Sequence, residues 1–293
     1  MRQLLLNCIQ SILETTGSID YEIIVIDNAS TDCSLESVRE TFPNVQVIGN
    51  KVNVGFARAN NQGYLISKGH FLLLLNPDTV VKPGAIRSVL EFMENTPDAG
   101  MAACRLLNPD GSLQKSIRPF PTIKEHLSRA LFIDRIFYWE YWKKTYYQPA
   151  PFEIDYCTGA FMMVRREAVG EMPLLDPAFF MYSEEKDLAL RLKEKGWKTY
   201  FVPLGKIVHF GGQSSGQMAV DLFLEFLRSQ IRFFNQHFYG LHKNLMVWSY
   251  YLTLCTSCIA SLLFPFIHYG RHRLKLFVAA VRNYPALVSK LSG

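Results

Sequence analysis

The stretch Phe71–Thr79, FLLLLNPDT, decides how the chain is read. Five apolar residues run straight into Asn76-Pro77-Asp78. A short continuous apolar run bounded by turn residues reads as a buried strand of a covered parallel sheet. Pro77 has no N–H for a central ladder, so the strand ends before it. Asp78 is thereby delivered to the carboxyl edge of the sheet, where open α/β sheets bind ligands. A carboxylate there suits a hard divalent cation carrying phosphate oxygens. The plainer role for Asp78 is to open a turn or to cap the helix that starts near Pro83.

Working outward, Arg2–Thr15 has the apolar spacing of an amphipathic helix. Tyr21–Ile26 is a buried strand that ends in Asp27 and Asn28. Ser34–Thr41 is a helix with Asp32 or Ser34 as its cap. Val45–Ile48 is a short strand, and Asn53-Val54-Gly55-Phe56-Ala57-Arg58-Ala59-Asn60-Asn61 enters a helix. With the strand at 71–75 and a helix at about 83–95, the order is β-α-β-α-β-α, the pattern of a doubly wound parallel sheet. Asp27 and Asp78, both at strand ends, should lie along one edge. Two acidic strand ends also fit a phospho-acceptor receiver or a phosphatase. A receiver is too short for this chain, and the Asp-x-Asp pair of a phosphatase nucleophile is absent here.

Size and charge narrow the classes further. The 293 residues are 49% hydrophobic and 19% charged, as in a globular protein with a sizeable core. The net charge of +5 is unevenly placed. Residues 241–293 carry Lys243, Arg271, Arg273, Lys275, Arg282 and Lys290 and no acid. The basic character belongs to the tail, which points to an anionic surface and away from nucleic acid. The six cysteines are scattered, and Cys255 and Cys258 lack the second pair a zinc site needs. A reduced, cytosolic setting fits, and no signal peptide is read at the start.

The second informative stretch is Leu175–Gly196, LDPAFFMYSEEKDLALRLKEKG. Ser183 reads as a helix cap and Gly196 as its stop. Glu184, Glu185 and Asp187 fill the first turn, where the helix dipole favours acids by about 0.3–1 kcal/mol each. Three acids so close push at least one pKa upward, as a general base requires. Before this, Ala99–Leu107 is a strand and Asn108-Pro109-Asp110-Gly111 a turn. Residues 115–152 are rich in aromatics, with a helix at about 122–144, and read mainly as packing. Gly159 turns the chain into a strand to Arg165. Trp197–Pro203 and Ile207–His209 are two further short strands. His209, at a strand end before Gly211 and Gly212, is a ligand candidate.

The motifs in order are IIVIDNASTD, NVGFARANNQG, LLLNPDT, GAFMMVRR, FFMYSEEKDLALRLKEKGW and VHFGGQS. This succession resembles the family 2 glycosyltransferases, and within them the rhamnosyltransferase-like branch, over about residues 2–240. The resemblance implies a GT-A fold: α/β, Rossmann-like, with a mostly parallel central sheet flanked by helices. It implies a glycosyltransferase domain over 1–215, with a donor half to about 112 and an acceptor half from about 113. An amphipathic helix (216–240) and a hydrophobic, basic, membrane-associating tail (241–293) follow.

By the same resemblance, Asp27 and Asn28 hold the nucleotide, and Asn53, Gly55 and Asn60 form the donor loop. Asp78 ends a reduced DxD-like motif and, with His209, faces Mg²⁺ or Mn²⁺. Glu185 stands where the family usually has an Asp base, flanked by Glu184 and Asp187. Gly159 and Tyr182 fall on the acceptor side. The implied reaction is a single displacement with inversion. It moves a sugar from a dTDP- or UDP-linked donor to a lipid-linked or polysaccharide acceptor of bacterial cell-surface glycans. Rhamnose is the sugar the branch suggests.

Members of the family begin with a strand before the first helix, whereas Met1 lies within that helix. The sheet is therefore expected to lack a strand. That departure, with Glu in place of Asp, motivates a second reading: an inactive, membrane-bound scaffold or interaction protein derived from such an enzyme. In the tail, Leu245–Tyr269 has no charged residue and is long enough to span a bilayer. The basic flank after it is expected on the cytoplasmic side. A peripheral or re-entrant segment at the inner face of the plasma membrane agrees with a catalytic domain that draws on cytoplasmic nucleotide-sugars.

Overall fold

The computed structural model describes residues 1–133, 148–211, 220–263 and 270–291. Their contacts form two compact units. The first takes in residues 1–119, 148–180 and 184–211, and the second residues 120–133, 181–183 and those from 220 on.

The first unit opens with α1 (Arg2–Thr15), β1 (Ile24–Asp27), α2 (Ser34–Thr41), β2 (Gln46–Gly49), α3 (Phe56–Ile66) and β3 (Phe71–Leu75). Apolar spacing and turn residues put these elements where the sequence places them. β1 and β2 pair in parallel, with Asp27 opposite Gly49. Ile9 of α1 and Val38 and Phe42 of α2 pack over the inner residues Val25 and Val47 of this pair. Neither Asp32 nor Ser34 is the cap of α2: Cys33 holds that position with a left-handed backbone, while Asp32 Oδ1, one residue earlier, accepts the Ser34 N–H at 3.2 Å.

The chain continues through β4 (Thr79–Val81), α4 (Ala85–Glu94), β5 (Ala99–Leu107) and β6 (Ile117–Arg118). After α5 (Ile123–Ala130), which belongs to the second unit, come β7 (Phe152–Ile154), β8 (Tyr156–Cys157), β9 (Phe161–Arg165) and the single turn α6 (Arg166–Val169). Helix α7 (Glu184–Glu194) and the long strand β10 (Lys198–His209) complete the unit.

The main sheet runs β3-β9-β5-β10-β4, with β7 also on β10. Its ladders are more mixed than the β-α-β alternation implies. β5 and β10 are parallel, but β9 lies antiparallel between β3 and β5. The reason is topological: β9 returns from the turn at Gly159 and enters between two strands that sequence order alone would pair. Val89 and Met93 of α4 pack on Ala102 and Cys104 of β5, Phe161 of β9 and Val202 of β10, all buried.

The two short strands expected around Pro203 are one strand. Four steps of β10, Val202 to Lys206, are matched to one step of β5, Cys104 to Arg105. Pro203 falls inside this bulge, where its missing N–H costs no ladder bond. Beyond the bulge β10 turns its last residues to β4, pairing His209 with Thr79. Helix α1 fixes β4 from the other side. Its Ser11 Oγ accepts the Val81 N–H at 3.0 Å, and Cys8 Sγ lies 3.3 Å from Thr79 Oγ1.

The second unit is helical: α5, α8 (Val220–His237), α9 (Gly240–Leu263) and α10 (Gly270–Leu291). His126 of α5 lies 3.0 Å from the Ser249 hydroxyl through its Nδ1, and its carbonyl accepts Thr253 Oγ1–H at 2.9 Å. The Tyr284 hydroxyl of α10 donates to the Val247 carbonyl at 3.0 Å. The aromatics Phe137, Tyr138, Trp139, Tyr141, Trp142, Tyr146 and Tyr147 and residues 212–219 and 264–269 lie outside the described residues.

Arg165 joins three elements at the end of α4. Its guanidinium donates to the carbonyls of Met93, Thr96 (3.1 Å) and Ala99 (2.9 Å) and lies 5.0 Å from the Phe71 ring centroid. Arg165→Ala strands those carbonyls and should cost roughly 2–4 kcal/mol in urea unfolding. Arg165→Lys, without the planar fork, should recover less than half of it.

Candidate functional site

The turn between β3 and β4 is held at both ends. The Asn76 N–H donates to the Ala160 carbonyl at 3.1 Å, and Thr79 Oγ1 donates to the Asn76 carbonyl at 2.8 Å. This places Asp78, 4% exposed, at the sheet edge as the sequence implies. The antiparallel register of β4 with β10 brings His209 to it, with Asp78 Oδ1 and His209 Nε2 3.3 Å apart. The Phe210 N–H also donates to the Asp78 carbonyl, at 2.9 Å.

The proton on the His209 ring is set by a residue the sequence reading did not single out. Gln114 Nε2 donates to Asn108 Oδ1 at 3.0 Å and to the His209 carbonyl at 3.3 Å. That fixes its amide so that Oε1 faces His209 Nδ1 at 2.6 Å. Nδ1 then carries a hydrogen toward Oε1, and Nε2 faces the Asp78 carboxylate, with Asn76 Nδ2 3.5 Å from it. An imidazole nitrogen and a carboxylate oxygen so close need a proton or a cation between them. A divalent cation at this edge would find one carboxylate oxygen and one imidazole nitrogen, the carboxylate being the donor type that Mn²⁺ and Mg²⁺ prefer. Among the described residues, no group of three or more His, Cys, Asp and Glu converges on a metal position. Gln114 is hidden in the sequence because nothing local links it to His209, 95 positions away.

A second cluster gathers the nucleotide-side candidates. Asn28 follows β1, donating to the Gly55 carbonyl at 3.2 Å and accepting the Val54 N–H at 3.3 Å. Asn53 Oδ1 accepts the Gly55 N–H at 2.9 Å. Asp27 turns back locally, its Oδ2 accepting the Ser30 N–H at 3.1 Å. Asn60 bonds its own helix, donating to the Phe56 carbonyl at 2.9 Å. Its neighbour Asn61 makes the long-range contact, pairing twice with the Leu175 backbone at 2.7 and 2.9 Å. Arg58 reaches the Pro177 carbonyl at 3.1 Å. The Phe56 N–H donates to the Phe180 carbonyl at 2.7 Å. Gly55 has a positive φ of 88°, and a Cβ there would lie 2.6 Å from that same carbonyl. Only glycine allows this approach. The stretch NVGFARANN thus ties itself to the segment leading into α7.

Helix α7 carries the acids. Ser183 does not cap it: its φ is +67°, and its hydroxyl is buried without a hydrogen-bond partner. Asp187 pairs with Arg191 at 2.7 Å, and Arg191 donates to the Pro173 and Leu174 carbonyls at 3.2 and 3.1 Å. Asp187 therefore braces the loop before the helix. Glu184 and Glu185 each hold a buried Oε2 with no hydrogen-bond partner. Burial, and then the Glu185 charge, drive the Glu184 carboxyl well above its ordinary value of 4.5. Burial likewise raises Glu185, opposed by its own backbone N–H and by the charges of Lys186 and Arg118. The Cys157 thiol is pushed up by burial and then by the Glu185 charge, which sets Glu185 beside β8.

Gly159 sits where an added Cβ would meet the Phe56 ring at 3.8 Å, one residue from the Ala160 carbonyl that holds Asn76. Tyr182 belongs to the second unit, where its ring meets Phe226 edge-on at 5.6 Å.

The α/β unit thus carries an acid–imidazole pair at its sheet edge, a loop tied to the segment before α7, and a buried carboxylate pair on that helix. The chain belongs to glycosyl transferase family 2, whose model matches residues 2–172, and to its rhamnosyltransferase-like branch. It is 27% identical over 209 residues to the N-acetylglucosaminyl-diphospho-decaprenol L-rhamnosyltransferase of Mycobacterium tuberculosis, covering 67% of this chain and 68% of that one. It is 27% identical over 236 residues to the rhamnosyltransferase WbbL of Escherichia coli, covering 77% of this chain and 87% of that one. Among solved structures it is similar to the mannosyltransferase PcManGT of Pyrobaculum calidifontis, in complex with GDP-Man and Mn²⁺. The TM-score there is 0.60 at 13% identity, covering 99% of this chain and 84% of that one. GalNAc-T7 with UDP, GalNAc and Mn²⁺ matches at a TM-score of 0.53 and 18% identity, over 70% of this chain. The chain spans only 40% of GalNAc-T7. These likenesses establish the GT-A-like fold.

The raised acids give a pH signature. Below the ordinary glutamate value, folded and unfolded chains are both protonated, and the pair costs nothing. As pH rises through that value the unfolded chain ionises first, and native stability falls until the raised folded values are passed. Glu184→Gln should therefore melt like the native chain below the ordinary glutamate value and increasingly above it as pH rises through and beyond that value.

Proposed function

We propose that the protein transfers a sugar, rhamnose first among candidates, from a nucleotide-sugar to a lipid-linked or polysaccharide acceptor, with inversion. The observation that carries this reading is the facing pair of Asp78 Oδ1 and His209 Nε2 at the sheet edge. They would hold Mg²⁺ or Mn²⁺ there, supplying positive charge that offsets the diphosphate of the leaving group. Asp27, Asn28, Asn53, Gly55 and Asn60 are assigned to the donor side, and Gly159 and Tyr182 to the acceptor. UDP accompanies the similar GalNAc-T7 and GDP-Man the similar PcManGT; a dTDP- or UDP-linked donor is the choice we propose here.

Glu185 acts as the base. Its buried Oε2 has no hydrogen-bond partner, and an acceptor hydroxyl admitted to it would supply one. With a raised pKa it takes that proton as the hydroxyl attacks the anomeric carbon. The pair, raised together by burial, is spared a second charge when one member stays protonated. Buried acids without partners cost stability. That cost argues for the enzyme over the inactive scaffold, which has no use for them. The relative named for a decaprenol-linked acceptor supports a site at the cytoplasmic face of a membrane.

Transfer by Glu185→Gln should fall at least about 100-fold in kcat. The same variant should still show a Mn²⁺-dependent rise in melting temperature with UDP or dTDP, a shift that Asp78→Ala abolishes. Full transfer by Glu185→Gln would refute the assignment of the base. Gln114→Leu, which frees the His209 ring, should weaken Mn²⁺ binding by about 10–100-fold in calorimetry. Unchanged affinity would remove Gln114 from the metal's support.

A further inference from the structure

Helix α9, Gly240–Leu263, is long and apolar enough to cross a membrane by length and composition. Its side chains are arranged otherwise. Leu241, Leu245, Trp248, Leu252, Ile259 and Leu262 are exposed, Trp248 by 67%. At about 100° per residue these six positions share an arc of about 80–100°. Over the first part of the helix the opposite face is committed to protein. Met246, Ser249, Tyr250 and Leu254 are buried, with Ser249 bonded to His126 and Tyr250 against Phe234 at 5.7 Å. A helix that crosses a bilayer alone meets lipid all round; up to Leu254 this one has one side to offer.

We propose that α9 lies in the plane of an anionic bilayer, with the Leu241–Leu262 stripe sunk to the level of the headgroups and upper acyl chains. This rests on the membrane-linked acceptor read above and fixes how that membrane is met. Charge selects the occupant. Residues 241–293 carry six Lys and Arg and no acid. A second copy of the chain would bring the same positive segment against itself, whereas anionic lipid neutralises it. Trp248, near the middle of the exposed stripe, suits an interface where one side is apolar and the other wet.

The test uses the full chain with vesicles of phosphatidylcholine alone or with one-third phosphatidylglycerol. The chain should sediment with the anionic vesicles at least about tenfold more strongly than with the neutral ones, and lose that preference in high salt. Bromine placed high on the acyl chains should quench Trp248 fluorescence more than bromine near their ends, judged against Trp248→Phe. Leu245→Ser combined with Leu252→Ser should cut vesicle binding about tenfold or more. It should leave transfer to a water-soluble acceptor intact.

A chain that stays in solution with anionic vesicles overturns the surface. So does quenching strongest at the bilayer centre, which marks a crossing helix. So does a dimer in ultracentrifugation that the Leu245/Leu252 variant dissociates. Vesicle binding without any nucleotide-dependent melting shift would instead sink the transferase reading and leave the surface standing.

Discussion

The Asp78 carboxylate and the His209 imidazole are held with Oδ1 and Nε2 3.3 Å apart. Neither can swing away. Asp78 is pinned by the β3–β4 turn, and His209, the last residue of β10, by its pairing with Thr79 and by Gln114. The fold thus keeps together two groups that a proton or a cation can bridge. The mixed sheet, the return of β9 and the placement of α1 against β4 all serve to keep that edge rigid.

The acids of α7 obey a related logic at a distance from solvent. A carboxylate with a sealed, unpaired oxygen is costly. It persists because the surrounding chain leaves no room for relaxation: Arg191 locks Asp187 and the preceding loop, and α3 locks Leu175 and Phe180. The site is thus assembled from groups that would individually prefer water. The stability that keeps them comes from the core beneath β5 and from polar clamps such as Arg165.

What could be read in the sequence was what is local. The run into Asn76-Pro77-Asp78 gives a strand end and an acid at its tip, because proline and apolar continuity act within a few residues. The acids after Tyr182 announce a helix start by the same nearness. The pairing of His209 with Gln114 was illegible, since it depends on two strands meeting across the sheet. Asn60 bonds its own helix, while Asn61 one step on makes the bridge to Leu175; rotation about the helix axis, which sequence alone does not phase against its neighbours, separates them. Pro203 suggested a break between strands, and a bulge lets β10 run through it. Ser183 has a residue type that often caps, but its left-handed backbone turns the hydroxyl away from that work.

The bulge in β10 divides the strand into two independently registered lengths. The first, Lys198–Val202, belongs to the packed interior beside Ala99–Cys104; the second, Lys206–His209, belongs to the edge beside Arg105–Leu107 and Thr79. Slack between them means that a shift in the interior dissipates before it reaches His209. Interior residues can then drift over evolutionary time while the imidazole keeps its address. Descendants of one such scaffold are free to rebuild their cores without surrendering their chemistry.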